Sequence, residues 1–337
     1  MDATCLINNY NYRQHVGEAV RSALDQTRPF AKVVVVDDGS TDGSQEYLQQ
    51  EFGDDCRVEL LFKANGGQMS CFNVGVERAE TDLVFFLDAD DRYQPNYLEF
   101  ALGVYAARPE VDFLSVAPAP FGEGDAHLDR RILPTGNLGL SVCAAALGGH
   151  WIGERTSCLS MKTAIAKSFL PFPYERDWVT RADDILVFGS SIAGACKRHE
   201  EQPLVDYRIH EGNHFAGRKF DALYTARRAV ALNRTTRCLT ERVGLDRAAL
   251  PWVMHREFRT NPRPNYRDWR GYMKLAMRCK TPWRLKLKQV VAMTSHYLNP
   301  SKYGGSVDRV EVSTQVNQQG STAERSPLAM PTHASAA

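Results

Sequence analysis

Lys-Val-Val-Val-Val-Asp-Asp-Gly-Ser-Thr-Asp (32–42) is the stretch on which the reading of this chain turns. Four consecutive valines have no polar face, so the run predicts a strand buried on both sides, as in a parallel sheet covered by helices. It stops at two carboxylates and a glycine, and Ser40, Thr41 and Asp42 are all residue types that cap helices. The same cadence of apolar run, polar loop and helical period recurs on either side. Residues 4–8, 58–62, 83–87 and 111–116 are further strand candidates. Residues 16–26, 45–50 and 68–79 carry apolar positions at helical spacing, and Pro95 is placed in the first turn of a helix running to about Arg108. Strand and helix in alternation predict an α/β fold with a mostly parallel sheet flanked by helices. Ligands in such sheets bind beyond the carboxyl ends of the strands. There this chain places Asn8-Asn9-Tyr10-Asn11, Asp37-Asp38, Asn65-Gly66-Gly67 and Asp88-Ala89-Asp90, four loops expected to converge on one crevice.

The remainder of the chain is less regular. Residues 118–150 are rich in glycine and proline and read as irregular, and regular structure resumes at 156–173 and 182–195. A helix is expected over 221–242 and a basic, partly amphipathic helical stretch over 267–293. From about Gly304 the composition is Ser/Thr/Gln/Ala-rich with few aromatics, which predicts disorder. The expected organisation is a catalytic domain over 1–215, with a nucleotide-binding half to 117 and an acceptor-binding half after it. A basic helical extension (216–303) and a disordered tail (304–337) follow. The formal net charge of +1 gives no field that would mark a nucleic-acid binder. Between Pro251 and Tyr303, however, twelve Lys/Arg face two acids. Eight cysteines lack any Cys-x-x-Cys pair, which suits reduced thiols in a cytosolic protein. No apolar run reaches the roughly 20 residues needed to span a bilayer. The opening Met1-Asp2-Ala3-Thr4 lacks the basic head of a signal peptide, so a cytoplasmic location is expected.

Asp88 and Asp90, two residues apart at a strand end, can share a divalent cation and its bound phosphates, and Asp91 adds a third carboxylate. The alternative is a solvated acidic turn. Asp38 can accept from a nucleobase imide or a ribose hydroxyl, or belong to a helix-start signal. Tyr10 can lie flat on a base whose edge Asn8 bonds, or it can pack at a domain edge. Asn65, Gly67 and Gln68 open a helix whose amides suit a phosphate or sugar, or form an ordinary glycine turn.

Taken in order, Thr-Cys-Leu-Ile-Asn-Asn-Tyr-Asn-Tyr (4–12), Ser-Ala-Leu-Asp-Gln-Thr (22–27), the 33–42 segment, Asn-Gly-Gly-Gln (65–68) with Asn73, and Phe-Phe-Leu-Asp-Ala-Asp-Asp (85–91) with Pro95 resemble family-2 glycosyltransferases of the GT-A fold. That resemblance implies a nucleotide-sugar donor whose nucleoside, usually uridine, is held by Asn8, Tyr10 and Asp38. It also implies that Asp88 serves ribose or metal, and that Asp90 holds Mg²⁺ or Mn²⁺ on the diphosphate. The family's catalytic aspartate, near the start of a helix in the second half, corresponds to Asp183, with Asp184 the alternative. The usual local pattern there is Glu-Asp, and this chain has Ala182-Asp183. Tyr207-Arg208-Ile209-His210 resembles a segment that closes the catalytic half in bacterial relatives. Arg208 or His210 then touches pyrophosphate or metal, or Arg208 pairs with a surface acid. Trp151 lies in a stretch like the acceptor region and either stacks on a sugar or fills the core.

The implied chemistry is loss of a nucleoside diphosphate through an oxocarbenium-like transition state, with one base for the acceptor hydroxyl and therefore inversion. The acceptor class is a glycan or a lipid-linked molecule. The basic C-terminal stretch, with Trp269, Tyr272, Trp283 and several leucines among the cations, suits either a solvated face or an anionic membrane surface. Two other functions compete. A sugar nucleotidyltransferase would carry a Gly-rich basic loop after its first strand, where this chain has Asn-Asn-Tyr-Asn-Tyr. A non-catalytic binder of nucleotide-sugar or lipid has little use for a metal site and a base together.

Overall fold

The computed structural model describes residues 1–122, 133–210 and 221–300. The tail expected at 304–337, and the expected boundary near 215, lie outside these residues. Among the described residues nine strands form one sheet: β1 (Ala3–Asn9), β2 (Lys32–Asp37), β3 (Val58–Phe62), β4 (Leu83–Asp88), β5 (Arg92–Tyr93), β6 (Phe113–Gly122), β7 (Gly136–Gly139), β8 (Leu159–Lys162) and β9 (Lys197–Ile209). Their order is β3-β2-β1-β4-β8-β6-β9-β5, with β7 on β9. β3, β2, β1 and β4 run parallel, and β8 is antiparallel to both β4 and β6. The helices are α1 (Val16–Leu24), α2 (Ser44–Phe52), α3 (Gln68–Arg78), α4 (Tyr97–Ala107), α5 (Val142–Gly148), α6 (Thr163–Phe169), α7 (Asp183–Ile192), α8 (Ala222–Arg242), α9 (Leu250–Thr260), α10 (Tyr266–Arg278) and α11 (Trp283–Leu298).

The period of two along β1 and β4 builds two cores from one sheet. Leu6, Val84 and Phe86 face α3, α6 and α7. Cys5, Ile7, Phe85 and Leu87 face α1 and α4. The valines of β2 divide likewise, Val33 and Val35 joining the second core and Val34 and Val36 packing on Cys71. β3 is the sheet edge, only half-buried, with Phe62 exposed.

The structure differs from the sequence reading in several places. The described residues within 118–150 are more regular than their composition suggests, holding the end of β6, all of β7 and α5. Pro95 lies just before the Asn96 N-cap of α4, where its carbonyl accepts from Thr27 N at 2.8 Å. The basic helical stretch expected over 267–293 is divided into α10 and α11, because Pro282 has no N–H to continue the first. The expected C-terminal helical region is present as α8 to α11 and packs into the body of the fold. Leu239, Met254, Phe258, Leu275 and Met293 share a core with Phe113, Cys143, Leu186 and Phe188.

Candidate functional site

Register places the site. Asn8 sits beside Val36 on one side and Asp88 on the other, and Asn9 beside Asp37. Three parallel strands therefore end in one row, and the loops leaving them meet.

At the end of β2 the two carboxylates are saturated with donors. Asp37, fully buried, accepts from Asn9 Nδ2 at 2.6 Å, Ser40 Oγ at 2.6 Å, Ser40 N at 2.9 Å and Gln45 Nε2 at 2.7 Å. Asp38 accepts from Lys63 Nζ at 2.5 Å, Gly66 N at 2.9 Å and Gly67 N at 2.7 Å. Asn65 Nδ2 donates to the Asp38 carbonyl at 3.0 Å. The amides of Gly66 and Gly67, expected to face a ligand, are thus turned inward onto Asp38. Gly67 has φ +88°, and a Cβ there would come within 2.6 Å of Val179 Cα, so the loop is wedged against the segment before α7. Lys63, the cation that pairs Asp38, carried no signal in the sequence beyond its place after β3.

At the end of β4 the carboxylates crowd one another. Ligand oxygens of Asp88, Asp90 and Asp91 lie within 4.8 Å of each other. Asp88 accepts from Gln68 Nε2 at 2.8 Å, and Asp90 pairs with His210 Nε2 at 3.0 Å. Asp91 is deeply buried and accepts from Ser157 Oγ at 2.5 Å and Arg208 N at 2.8 Å. Burial first, then the charge of Asp90, raises the Asp88 carboxyl far above its ordinary range, and Asp183 adds to that repulsion. Burial and the charges of Asp90 and Asp88 raise Asp91 as well. A hard divalent cation such as Mg²⁺ or Mn²⁺ fits this arrangement, because converging carboxylate oxygens are its preferred ligands and its charge removes the repulsion. Asp88 and Asp90 are the candidate ligands. Asp91, with both oxygens engaged, supports the turn. The Asn8 Oδ1 atom alongside is buried and has no hydrogen-bond partner among the described residues, so it too points to a missing group.

The two sides of the crevice are joined by one side chain. Gln68, the first residue of α3, donates from Nε2 to Asp88 and accepts at Oε1 from Ala182 N at 3.0 Å. Its own N–H donates to the Val179 carbonyl at 2.9 Å. Gln68 therefore holds the chain that delivers Asp183. Between these anchors Arg181 takes a left-handed φ of +62°, uncommon for a side chain of this kind.

Asp183 and Asp184 open α7 and have different surroundings. Asp184 is fully buried and receives Arg228 Nη2 at 2.7 and 2.9 Å, Arg228 Nε at 3.2 Å and Arg181 Nε at 3.5 Å. Its charge is spent on fastening α8 to α7. Asp183, half-buried, accepts the Asp184 N–H at 3.0 Å. Burial and the neighbouring Asp184 push its carboxyl up to about 6, against the opposing pull of Arg181 and Arg228.

The peripheral candidates also separate. Arg208 turns to Glu18, donates Nε to the Asp90 carbonyl at 2.7 Å and lies 4.3 Å over the Phe121 ring. It supports the Asp88–Asp91 turn and pairs with an acid, one of the two readings its sequence allowed. His210 stands at Asp90, edge-on to Tyr12 at 5.8 Å and beside His15 at 5.7 Å. Tyr10 follows β1 directly and is 47% exposed. Trp151 packs against the core shared by α5, α7 and α10. Ser157, whose hydroxyl accepts from Asp88 N and donates to Asp91, is a strut that sequence alone did not single out for that task.

A mixed, mostly parallel sheet with an acidic cluster at its strand ends, and a helix-borne carboxylate across the crevice, defines the GT-A class. Residues 4–160 match the family model described as Glycosyl transferase family 2, which supports the resemblance to family-2 glycosyltransferases of the GT-A fold. An uncharacterized glycosyltransferase of Nostoc sp. is 30% identical over 218 residues, 63% of this chain and 66% of the relative. TuaG of Bacillus subtilis, named for teichuronic acid biosynthesis, is 38% identical over 27% of this chain and 36% of its own. The chain therefore spans just under two thirds of the first relative and about a third of the second. In fold, a 1–349 fragment of TarS from S. aureus, solved with UDP-GlcNAc, superposes with a TM-score of 0.57 over 90% of this chain and 91% of that one, at 16% identity.

Proposed function

We propose that this chain transfers a sugar from a nucleotide-sugar, a UDP-sugar, to a hydroxyl of a glycan or lipid-linked acceptor, with inversion at the anomeric carbon. For the lipid-linked class the work is done at the inner face of the cell membrane. The observation that carries the reading is the single crevice in which Gln68 ties the acidic end of β4 to the helix bearing Asp183. Asn8 and Tyr10, with the inward-braced Asp38, line the nucleoside side. The UDP-GlcNAc held by a chain of the same fold supports uridine as the nucleoside.

Asp88 and Asp90 would hold the metal, and a bound Mg²⁺ or Mn²⁺ supplies charge stabilisation for the departing diphosphate. Asp183 takes the acceptor proton. Its carboxyl, raised to about 6, is ionised near neutral pH yet basic enough to accept a proton. Arg181 and Arg228 partly offset the charge of Asp184, which together with burial keeps the base raised. As the acceptor oxygen bonds to the anomeric carbon, the bond to the diphosphate breaks on the opposite face. A sugar nucleotidyltransferase would need a triphosphate loop after β1, where Asn8-Asn9-Tyr10-Asn11 stands.

Calorimetric titration of UDP, GDP and dTDP with and without Mn²⁺ tests the donor side. UDP is expected to bind with metal and to lose that binding in Asp90→Ala. Folded wild type that binds none of the three overturns the transferase reading.

A further inference from the structure

The α10–α11 hairpin is one-sided in both charge and packing. From Trp269 to Pro300 the chain has seven Lys/Arg and no Asp or Glu. The inner face of α11 is committed: Met293 enters the core, Gln289 Nε2 donates to the Pro251 carbonyl, and His296 Nε2 lies 2.8 Å from the Asn261 carbonyl. The outer face is apolar. Trp283, Leu287, Val291 and Leu298 are 69, 55, 60 and 66% exposed. At 100° per residue these four fall within one 80° stripe of the helix. Arg284 and Lys288, both exposed, run along one flank of that stripe, and Lys286 lies on the other with its Nζ on the Met277 carbonyl at 2.9 Å. Met277, Lys274 and Arg278 are exposed on α10.

Exposed tryptophan and aliphatic residues without an acid among them are costly in water. A second copy of this chain would bring like charges face to face, whereas an anionic lipid surface satisfies the stripe and its cationic flank together. We infer that the outer face of α11 docks on anionic phospholipid, Trp283, Leu287 and Val291 entering the headgroup boundary and Arg284 and Lys288 pairing with lipid phosphates. This deepens the lipid-linked reading of the acceptor and gives it a docking face. Docking does not depend on nucleotide, metal or transfer.

The test is co-sedimentation of the full chain, without nucleotide, with vesicles of pure phosphatidylcholine and of phosphatidylcholine containing phosphatidylglycerol. Binding is expected only to the anionic vesicles, weakening as salt is raised. Arg284→Glu with Lys288→Glu should lower partitioning at least about tenfold, since each cation near such a surface contributes about fivefold. Trp283→Ala with Leu287→Ser should lower it comparably, with circular dichroism and melting temperature unchanged because the face is outside the core. Equal binding to neutral vesicles, or none to either, overturns the proposal. So does a concentration-dependent dimer that the Leu287→Ser variant dissolves, which would make the face a contact between copies. Vesicle binding without UDP binding would leave the docking face standing and remove the transferase reading. The reverse result would remove only the docking face.

Discussion

The ends of β2 and β4 look alike in sequence: an apolar run closed by two or more aspartates. Their physical states are opposite. Asp37 and Asp38 are surrounded by donors, among them Asn9, Ser40, Gln45, Lys63 and two backbone amides. Asp88, Asp90 and Asp91 face one another, and burial with mutual repulsion raises the carboxyls of Asp88 and Asp91. The first group holds the loops in place, and the second is the set proposed to take a cation. The contrast recurs at the start of α7, where Asp184 is clamped by arginines and Asp183, the proposed base, accepts the Asp184 N–H. A run of acids is therefore read by counting its donors, which local sequence does not supply.

The sharpest way to break this comparison is to exchange the roles of the α7 pair. Asp183→Asn should lower the transfer rate about a thousandfold, within the range for losing a general base, while UDP titration and melting temperature stay unchanged. Asp184→Asn should mainly destabilise, because Arg228 is left without its partner. Equal loss of rate in both, with both stable, would reassign the base. In wild type the rate should climb with pH up to the raised carboxyl of Asp183, because only the ionised form accepts the proton, and level off above it.

A smaller effect separates the two strand ends. Asp37→Ala orphans several buried donors and should cost about 3 kcal/mol in urea unfolding. An unaltered midpoint would show that the β2 carboxylates are dispensable to the fold.

The smallest effect has the opposite sign. The Asp88 carboxyl is raised in the folded chain, to about 7, so its contribution to stability is fully present at low pH and is lost as pH rises toward that value. Without metal, Asp88→Asn should therefore be more stable than wild type at pH 7.5, by about 1 kcal/mol or more, with the gap shrinking as pH falls and closing only below the ordinary carboxyl value of 3.8. Added Mn²⁺ should narrow it from the wild-type side. A variant less stable than wild type at pH 7.5 would mean that Asp88 is already satisfied.

Residues 1–117 were readable because β2 and β4 are buried on both faces, so Val33–Val36 and Leu83–Leu87 show no alternation that another structure could share. The segment after them was not. β8 is four residues, Leu-Ser-Met-Lys, and gains its place only by pairing antiparallel with β4 and β6. α5, Val-Cys-Ala-Ala-Ala-Leu-Gly, is a short helix inside a stretch rich in glycine and proline, and its N-terminal amides are satisfied by Glu257 more than a hundred residues on. The basic stretch was read as helical, and the break at Pro282 divides it into α10 and α11. At the site, the strand-end acids announced themselves. The partners that fix what each acid does (Lys63, Ser157, Arg228 and Glu18) lie too far along the chain for any motif to link them.

Gly67, seated on the Val179 backbone, has a mechanical consequence. With no room for a side chain at that contact, and with Gln68 bonded to both Val179 and Ala182, the first turn of α3 and the approach to α7 form one lever. A displacement of the Asp88 end of Gln68 is therefore transmitted to the segment that leads into Asp183.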